Sequence, residues 1–227
     1  MASRYTVVEG MARCGACQRL EPMFDRAAAY GSYEGGLREL IHLLKYEQVR
    51  PSASVLGRML GEAMATLNPL FTQVSPLVIP VPLHAAKLRQ RGFNQSELIA
   101  RAALKAPGLA GISLALHTSV LARARATVSQ TGLTRHQRRE NIRGAFRVLR
   151  PEEVAGRDVL LVDDVFTTGT TVSECARVLR KAGAQRVWVA TVARVLRPEA
   201  SFAVPEIASE QAEEECSPEP RAMAASV

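Results

Sequence analysis

Val159-Leu160-Leu161-Val162-Asp163-Asp164-Val165-Phe166-Thr167-Thr168-Gly169-Thr170-Thr171 is the stretch that decides the fold. Four apolar residues in a row read as a buried strand. The strand ends at two adjacent carboxylates. A turn of small and hydroxyl residues follows. Next comes a helical pattern from about Thr171 to Ala182, with Val172, Cys175, Val178 and Leu179 inward and Gly183 suited to the residue after the helix. Val187-Trp188-Val189-Ala190-Thr191-Val192 is the next strand. Strand, helix, strand at this spacing is a parallel βαβ unit, so the chain is α/β.

The turn has its own chemistry. Ligands of open parallel sheets sit beyond the carboxyl ends of the strands. A helix N-terminus offers free N–H groups and a positive dipole end to a phosphate. Gly169 lets the backbone approach closely. Thr167, Thr168, Thr170 and Thr171 add hydroxyl donors. Carboxylates beside such a cradle would repel an anion unless they face something else. Ribose hydroxyls are suitable, because Asp163 and Asp164 accept their hydrogen bonds; bridging by Mg²⁺ is a second option. The segment reads as a ribose 5-phosphate cradle.

Upstream, Gly35-Gly36 opens an amphipathic helix with Leu37, Leu40, Ile41 and Leu44 on one face. Pro51 separates it from a second, carrying Val55, Leu56, Met59, Leu60 and Met64. Leu77-Val78-Ile79-Pro80-Val81-Pro82 reads as a buried strand. A helix with Leu98, Ile99, Ala102 and Ala103 follows, and residues 118–122 suit a short strand. Residues 123–147 are basic, with little periodicity.

The chain has 227 residues, 47% of them hydrophobic, enough for one sizeable core and a small appendage. No apolar run is long enough to span a membrane, and the N-terminus lacks the apolar core of a secretory signal. Residues 199–227 hold seven acids and one base and read as a disordered tail, dispensable for stability. The rest of the chain holds 28 bases against 15 acids, a net of +13 that suits an anionic partner. Four cysteines form no disulfide framework in a chain this long, which fits a reducing cytoplasm. Of four histidines, His42 and His117 read as structural, while His84 and His136 lie in anion-facing segments.

The decisive stretch resembles the 5-phosphoribosyl-1-pyrophosphate (PRPP) motif of type I phosphoribosyltransferases. Val81-Pro82-Leu83-His84, Arg89-Gln90-Arg91-Gly92-Phe93-Asn94-Gln95, Ser129-Gln130, Leu133, Arg138-Arg139, Asn141 and Ala145-Phe146 further resemble the ComF family, whose GntX-type and other members are tied to competence and DNA uptake. Leu44-Lys45-Tyr46 fits that family's helical motif. The likeness spans roughly residues 14–195.

The resemblance implies a type I phosphoribosyltransferase-like sheet with flanking helices over residues 35–198, after an N-terminal segment 1–34. It implies Asp163 and Asp164 at the ribose and Val165, Phe166, Thr167, Thr168, Gly169, Thr170 and Thr171 around the 5-phosphate. Arg89, Arg91, Gly92, Asn94 and Gln95 would hold pyrophosphate. Arg138 and Arg139 belong to a mobile basic hood over residues 126–147. Mg²⁺ would accompany PRPP. Family members usually begin with a cysteine-rich ribbon that binds zinc, of which Cys14-Gly15-Ala16-Cys17 resembles the final pair; either upstream sequence completes it or the site has degenerated. Two functions remain open. One is Mg²⁺-dependent phosphoribosyl transfer to an unknown acceptor. The other is a non-catalytic module that binds PRPP or single-stranded DNA and works through DNA-uptake partners.

Overall fold

The computed structural model describes residues 22–71, 75–109, 111–127 and 134–196. Cys14, Cys17, Cys216, Ser129, Gln130, Gly132, Leu133 and the acidic tail lie outside them.

The centre is a five-stranded parallel sheet. Its strands are β1 (Arg26–Ser32), β2 (Leu77–Pro80), β3 (Ala115–Leu116), β6 (Asp158–Phe166) and β7 (Arg186–Arg194), in the order β1-β7-β6-β2-β3. A two-stranded antiparallel ribbon, β4 (Leu121–Arg123) and β5 (Phe146–Val148), stands beside it. The helices are α1 (Gly35–Tyr46), α2 (Ser52–Leu67), α3 (Ala85–Arg91), α4 (Gln95–Ala103), α5 (Arg135–Ile142), α6 (Pro151–Val154) and α7 (Thr170–Lys181).

β6 is apolar on both faces because both are covered, as expected of a central parallel strand. Leu160 and Val162 join a core with Ile41, Leu44, Leu56, Leu60 and Met64, on the side of α1, α2 and α4. Val159 and Leu161 join a second core with Val172, Cys175, Leu179, Ile142 and Phe146, on the side of α7 and the ribbon.

Two expectations need correction. Residues 26–32 do not belong to a separate N-terminal segment. They are an edge strand of the main sheet, paired with β7 from Arg26↔Trp188 to Ser32↔Arg194. Ala-Ala-Ala-Tyr-Gly carries no alternation, so the strand is set by its partner rather than by its own pattern. The basic hood also contains regular structure: α5 and β5 fall within it, and Ile142, Ala145 and Phe146 are buried in the second core. Gly144 N–H donates to the Glu174 carboxylate of α7 at 2.7 Å. Arg125 caps the α5 end, donating to the Asn141 and Arg143 carbonyls.

α2 and α4 touch almost backbone to backbone. A Cβ on Gly57 would lie 2.4 Å from Ala102 Cβ and 2.9 Å from the Ala102 backbone. Gly57→Ala should therefore push the helices apart and lower stability by about 1–3 kcal/mol. Urea denaturation reads this, and an unchanged midpoint would mean the helices separate freely.

Candidate functional site

Two strand-to-helix connections meet beyond the carboxyl end of β6. β2 runs beside β6 in parallel, with Pro80 opposite Val162, and Val81 N–H continues the ladder to the Val162 carbonyl. Past that point β2 turns into α3 and α4, and β6 turns into α7.

Asp163 and Asp164 end the buried part of β6. With the period of two in a strand, Asp164 shares a side with Leu160 and Val162. That is the side of α1, and Lys45 of α1 meets it: Lys45 Nζ lies 2.7 Å from Asp164 Oδ2. Both side chains are largely buried, 18% and 6% exposed. Burial disfavours the Lys45 ammonium. The charge of Asp164, their direct contact, and the charges of Asp163 and Tyr33 outweigh it, so Lys45 titrates above the ordinary lysine range. Apart from this ammonium, no hydrogen-bond donor among the described residues is aligned with Asp164 Oδ2.

Asp163 is partly buried, and its Oδ1 accepts the Ser96 hydroxyl and the Asp164 N–H, each at 2.9 Å. Burial and then the Asp164 charge push its carboxyl upward; Lys45, Ser96 and the Asp164 amide pull it back. The outcome is a pKa of about 7. The native chain therefore binds that proton more tightly than the unfolded chain does. The resulting stabilisation is full below the ordinary carboxylate range and is lost as pH rises through about 7.

The turn between β6 and α7 rests on an aromatic ring. Gly169 is left-handed, φ 73°, and opens α7 without a side-chain cap. A Cβ there would stand 2.7 Å from Phe166 Cζ. Phe166 in turn meets Phe24 edge to face at 6.0 Å. Phe166 thus supports the loop from below. The Thr168 and Thr170 hydroxyls meet at 2.8 Å across it. The N-terminus of α7 puts the positive end of the helix dipole at this turn, which suits an anion.

The other expected residues divide. Arg89 is exposed at the α3 terminus. Arg91 is buried: it donates to Gln95 Oε1 at 2.5 Å and lies over the exposed Tyr46 ring. Asn94 caps α4, accepting the Ser96 N–H and donating to the Val81 carbonyl. Gly92 is the left-handed cap of α3. This segment thus spends Asn94 and Gln95 on holding Ser96 and Arg91 in place. Arg138 and Arg139 lie on α5, and His84 caps α3 by accepting the Ala86 N–H. Cys175 is buried in the core, its thiol pushed up by burial.

Lys45, Ser96, Lys87 and Arg123 were not foreseen at the site. Lys45 had a legible signal: it falls four residues after Ile41, on the apolar stripe of α1, where a cation needs a buried partner. Burial lowers the Lys87 ammonium pKa, and so do the charges of Arg91, Arg123 and Lys45. Arg123 feels Asp163. Lys45 and Arg123 therefore act on the two carboxylates, and Lys87 stands close to both of these cations, a field that favours a multiply charged anion.

The same residues do not fit a resident divalent metal. Lys45 already faces Asp164 Oδ2, and Asp163 Oδ1 already accepts two hydrogen bonds. Among the described residues no three His, Cys, Asp or Glu side chains stand together as a metal-binding group. Nor is any helix among them long and apolar enough to cross a membrane.

A parallel sheet with paired acids at a strand end and a helix N-terminus beside them is the arrangement of a phosphoribosyl transferase domain, and the model of that domain matches residues 95–204. The chain is 35% identical to the DNA utilization protein YhgH of Escherichia coli O157:H7, over 81% of this chain and 78% of that one. It is 31% identical to Competence protein F of Haemophilus influenzae, over 80% and 78%. Amidophosphoribosyltransferase of Saccharomyces cerevisiae is 26% identical over 80% of this chain and 33% of the yeast protein. The chain belongs to the ComF family of phosphoribosyl transferase-domain proteins.

Proposed function

We propose that this chain binds PRPP at the end of β6 and transfers its phosphoribosyl group to an acceptor nucleophile. The observation that carries the reading is the union, at one strand end, of the Asp163–Asp164 pair, the uncapped N-terminus of α7 and the cations Lys87, Arg91 and Arg123. On this reading Asp163 and Asp164 accept the ribose hydroxyls, and Thr167–Thr171 with the α7 N–H groups hold the 5-phosphate. The cations face the pyrophosphate. In the transfer, the acceptor's lone pair forms a bond to ribose C1 while the C1–O bond breaks. The electron pair leaves on pyrophosphate, where fixed positive charge is worth most. Magnesium, in this account, arrives on the ligand's own phosphate oxygens. PRPP also suits the reducing cytoplasm that the cysteine usage favours.

The pH profile of PRPP affinity tests the ribose assignment. Affinity should rise as Asp163 loses its proton around pH 7, and the Asp163→Asn variant should lose that part of the rise. Titration calorimetry with superposable profiles for the two proteins would show that Asp163 accepts nothing from the ligand.

A second reading is a non-catalytic module that binds PRPP or single-stranded DNA and acts through partners in DNA uptake. The printed names of the relatives and the net charge of +13 on residues 1–198 favour it. Here the logarithm of oligonucleotide affinity should fall linearly with the logarithm of salt concentration, reflecting several released counterions. A flat response assigns the charge to small phosphates alone.

A further inference from the structure

We propose that Lys45 is the resident cation of the ribose site, holding the position before Asp164 that a divalent metal would otherwise take. The inference rests on the ribose reading of the acidic pair for its ligand, but its metal half stands on geometry alone. Paired carboxylates at a strand end offer a natural seat for a hard cation. Here α1 has already filled that seat from within the chain. Its apolar stripe, Ile41 and Leu44, is anchored in the core, so Lys45 is delivered on a fixed element. The ammonium stands 2.7 Å from Oδ2 with only 18% of its side chain exposed.

A metal bound at the same oxygen would sit within roughly 4–5 Å of that ammonium, where like charges in a poorly solvated site repel strongly. Lys87 lies close enough to feel the Lys45 charge and Arg123 close enough to feel Asp163, and both add to the repulsion. Asp163 offers a metal only its second oxygen, since Oδ1 is engaged by Ser96 and the Asp164 amide. The ion pair and a bound metal are therefore alternatives, and the chain has built the ion pair. Lys45 acts as a positioning residue: it balances the charge of Asp164 and orients it for a ribose hydroxyl with no imported ion. Any metal requirement then belongs to the pyrophosphate, and ribose 5-phosphate, which lacks that group, should bind without one.

Two measurements on the full chain decide this. In the first, manganese, a paramagnetic stand-in for magnesium, is titrated into ligand-free protein and the free ion is read by electron paramagnetic resonance. The unaltered protein should take up no stoichiometric ion, Lys45→Arg should behave alike, and folded Lys45→Met should gain a site. In the second, ribose 5-phosphate is titrated in chelator and in magnesium chloride. Its affinity for the unaltered protein should agree within about twofold, whereas Lys45→Met should lose about tenfold in chelator and recover with magnesium. Circular dichroism confirms folding, and Lys45→Arg keeps the test open if Lys45→Met unfolds. One manganese ion per unaltered chain overturns the proposal, as does a tenfold or greater gain in ribose 5-phosphate affinity with magnesium. If ribose 5-phosphate binds under no condition, the ribose reading fails, while manganese uptake still decides the role of Lys45.

Discussion

Asp164→Asn should lower the stability of the native chain by about 3 kcal/mol, because it leaves the Lys45 ammonium buried without its counter-charge. The loss comes less from the attraction removed than from the desolvated cation left behind, which the asparagine amide satisfies only in part. For a domain of this size that corresponds to a fall of roughly 6–12 °C in Tm. The control is the double variant Lys45→Met, Asp164→Asn. Removing both charges removes the stranded ion, and most of the stability should return. A single variant as stable as the parent would show that Lys45 escapes to solvent and that the pair does not shape the site. A consequence follows for ligand work: the acidic pair cannot be neutralised as a unit without unsettling α1.

Gly169→Ala should damage both the loop and its ligand. The new Cβ would fall 2.7 Å from Phe166 Cζ, and Gly169 already holds φ at 73°, a conformation that costs an alanine about 1 kcal/mol or more. Phe166 cannot retreat freely, because Phe24 packs against its edge. The loop must therefore lift, carrying Thr168, Thr170 and the first α7 N–H groups off their present positions. Expected are a loss of about 2 kcal/mol in stability and a fall of at least about thirtyfold in PRPP affinity. Thermal melts and calorimetry read the two effects separately. A variant that keeps full PRPP affinity would show that the 5-phosphate does not depend on this loop.

The parts of the fold that carry a strong pattern were legible. β6, α7 and β7 follow directly from a buried apolar run, an amphipathic period and a second apolar run. The stripes of α1 and α2 predicted their buried faces, as Ile41, Leu44, Leu56, Leu60 and Met64 bear out. β1 was not legible, because Arg26–Ser32 has neither alternation nor branched residues and gains its strand from β7. α5 was missed because its sequence, Arg135 to Ile142, has almost no apolar face; among its described side chains Ile142 ties its end to the core.

Within the site, the chemistry of the acidic pair and the turn could be read locally. The roles of Arg91, Asn94, Ser96 and Lys45 could not, since each depends on a partner far along the chain or on a helix end. Phe166 shows the difference well. Its place in the motif suggests ligand contact, while its packing against Gly169 could not be read from the motif.

Calorimetric titration of PRPP with magnesium into the unaltered protein and into Asp163→Asn tests the central claim most directly. Asp163→Asn leaves the Lys45–Asp164 pair in place, so the fold should survive. The account predicts stoichiometric binding by the unaltered protein and a loss of about a hundredfold or more in the variant, as expected when an ionised acceptor of ribose hydroxyls is removed. Equal affinity in the two folded proteins, or no PRPP binding by the unaltered one, would contradict it.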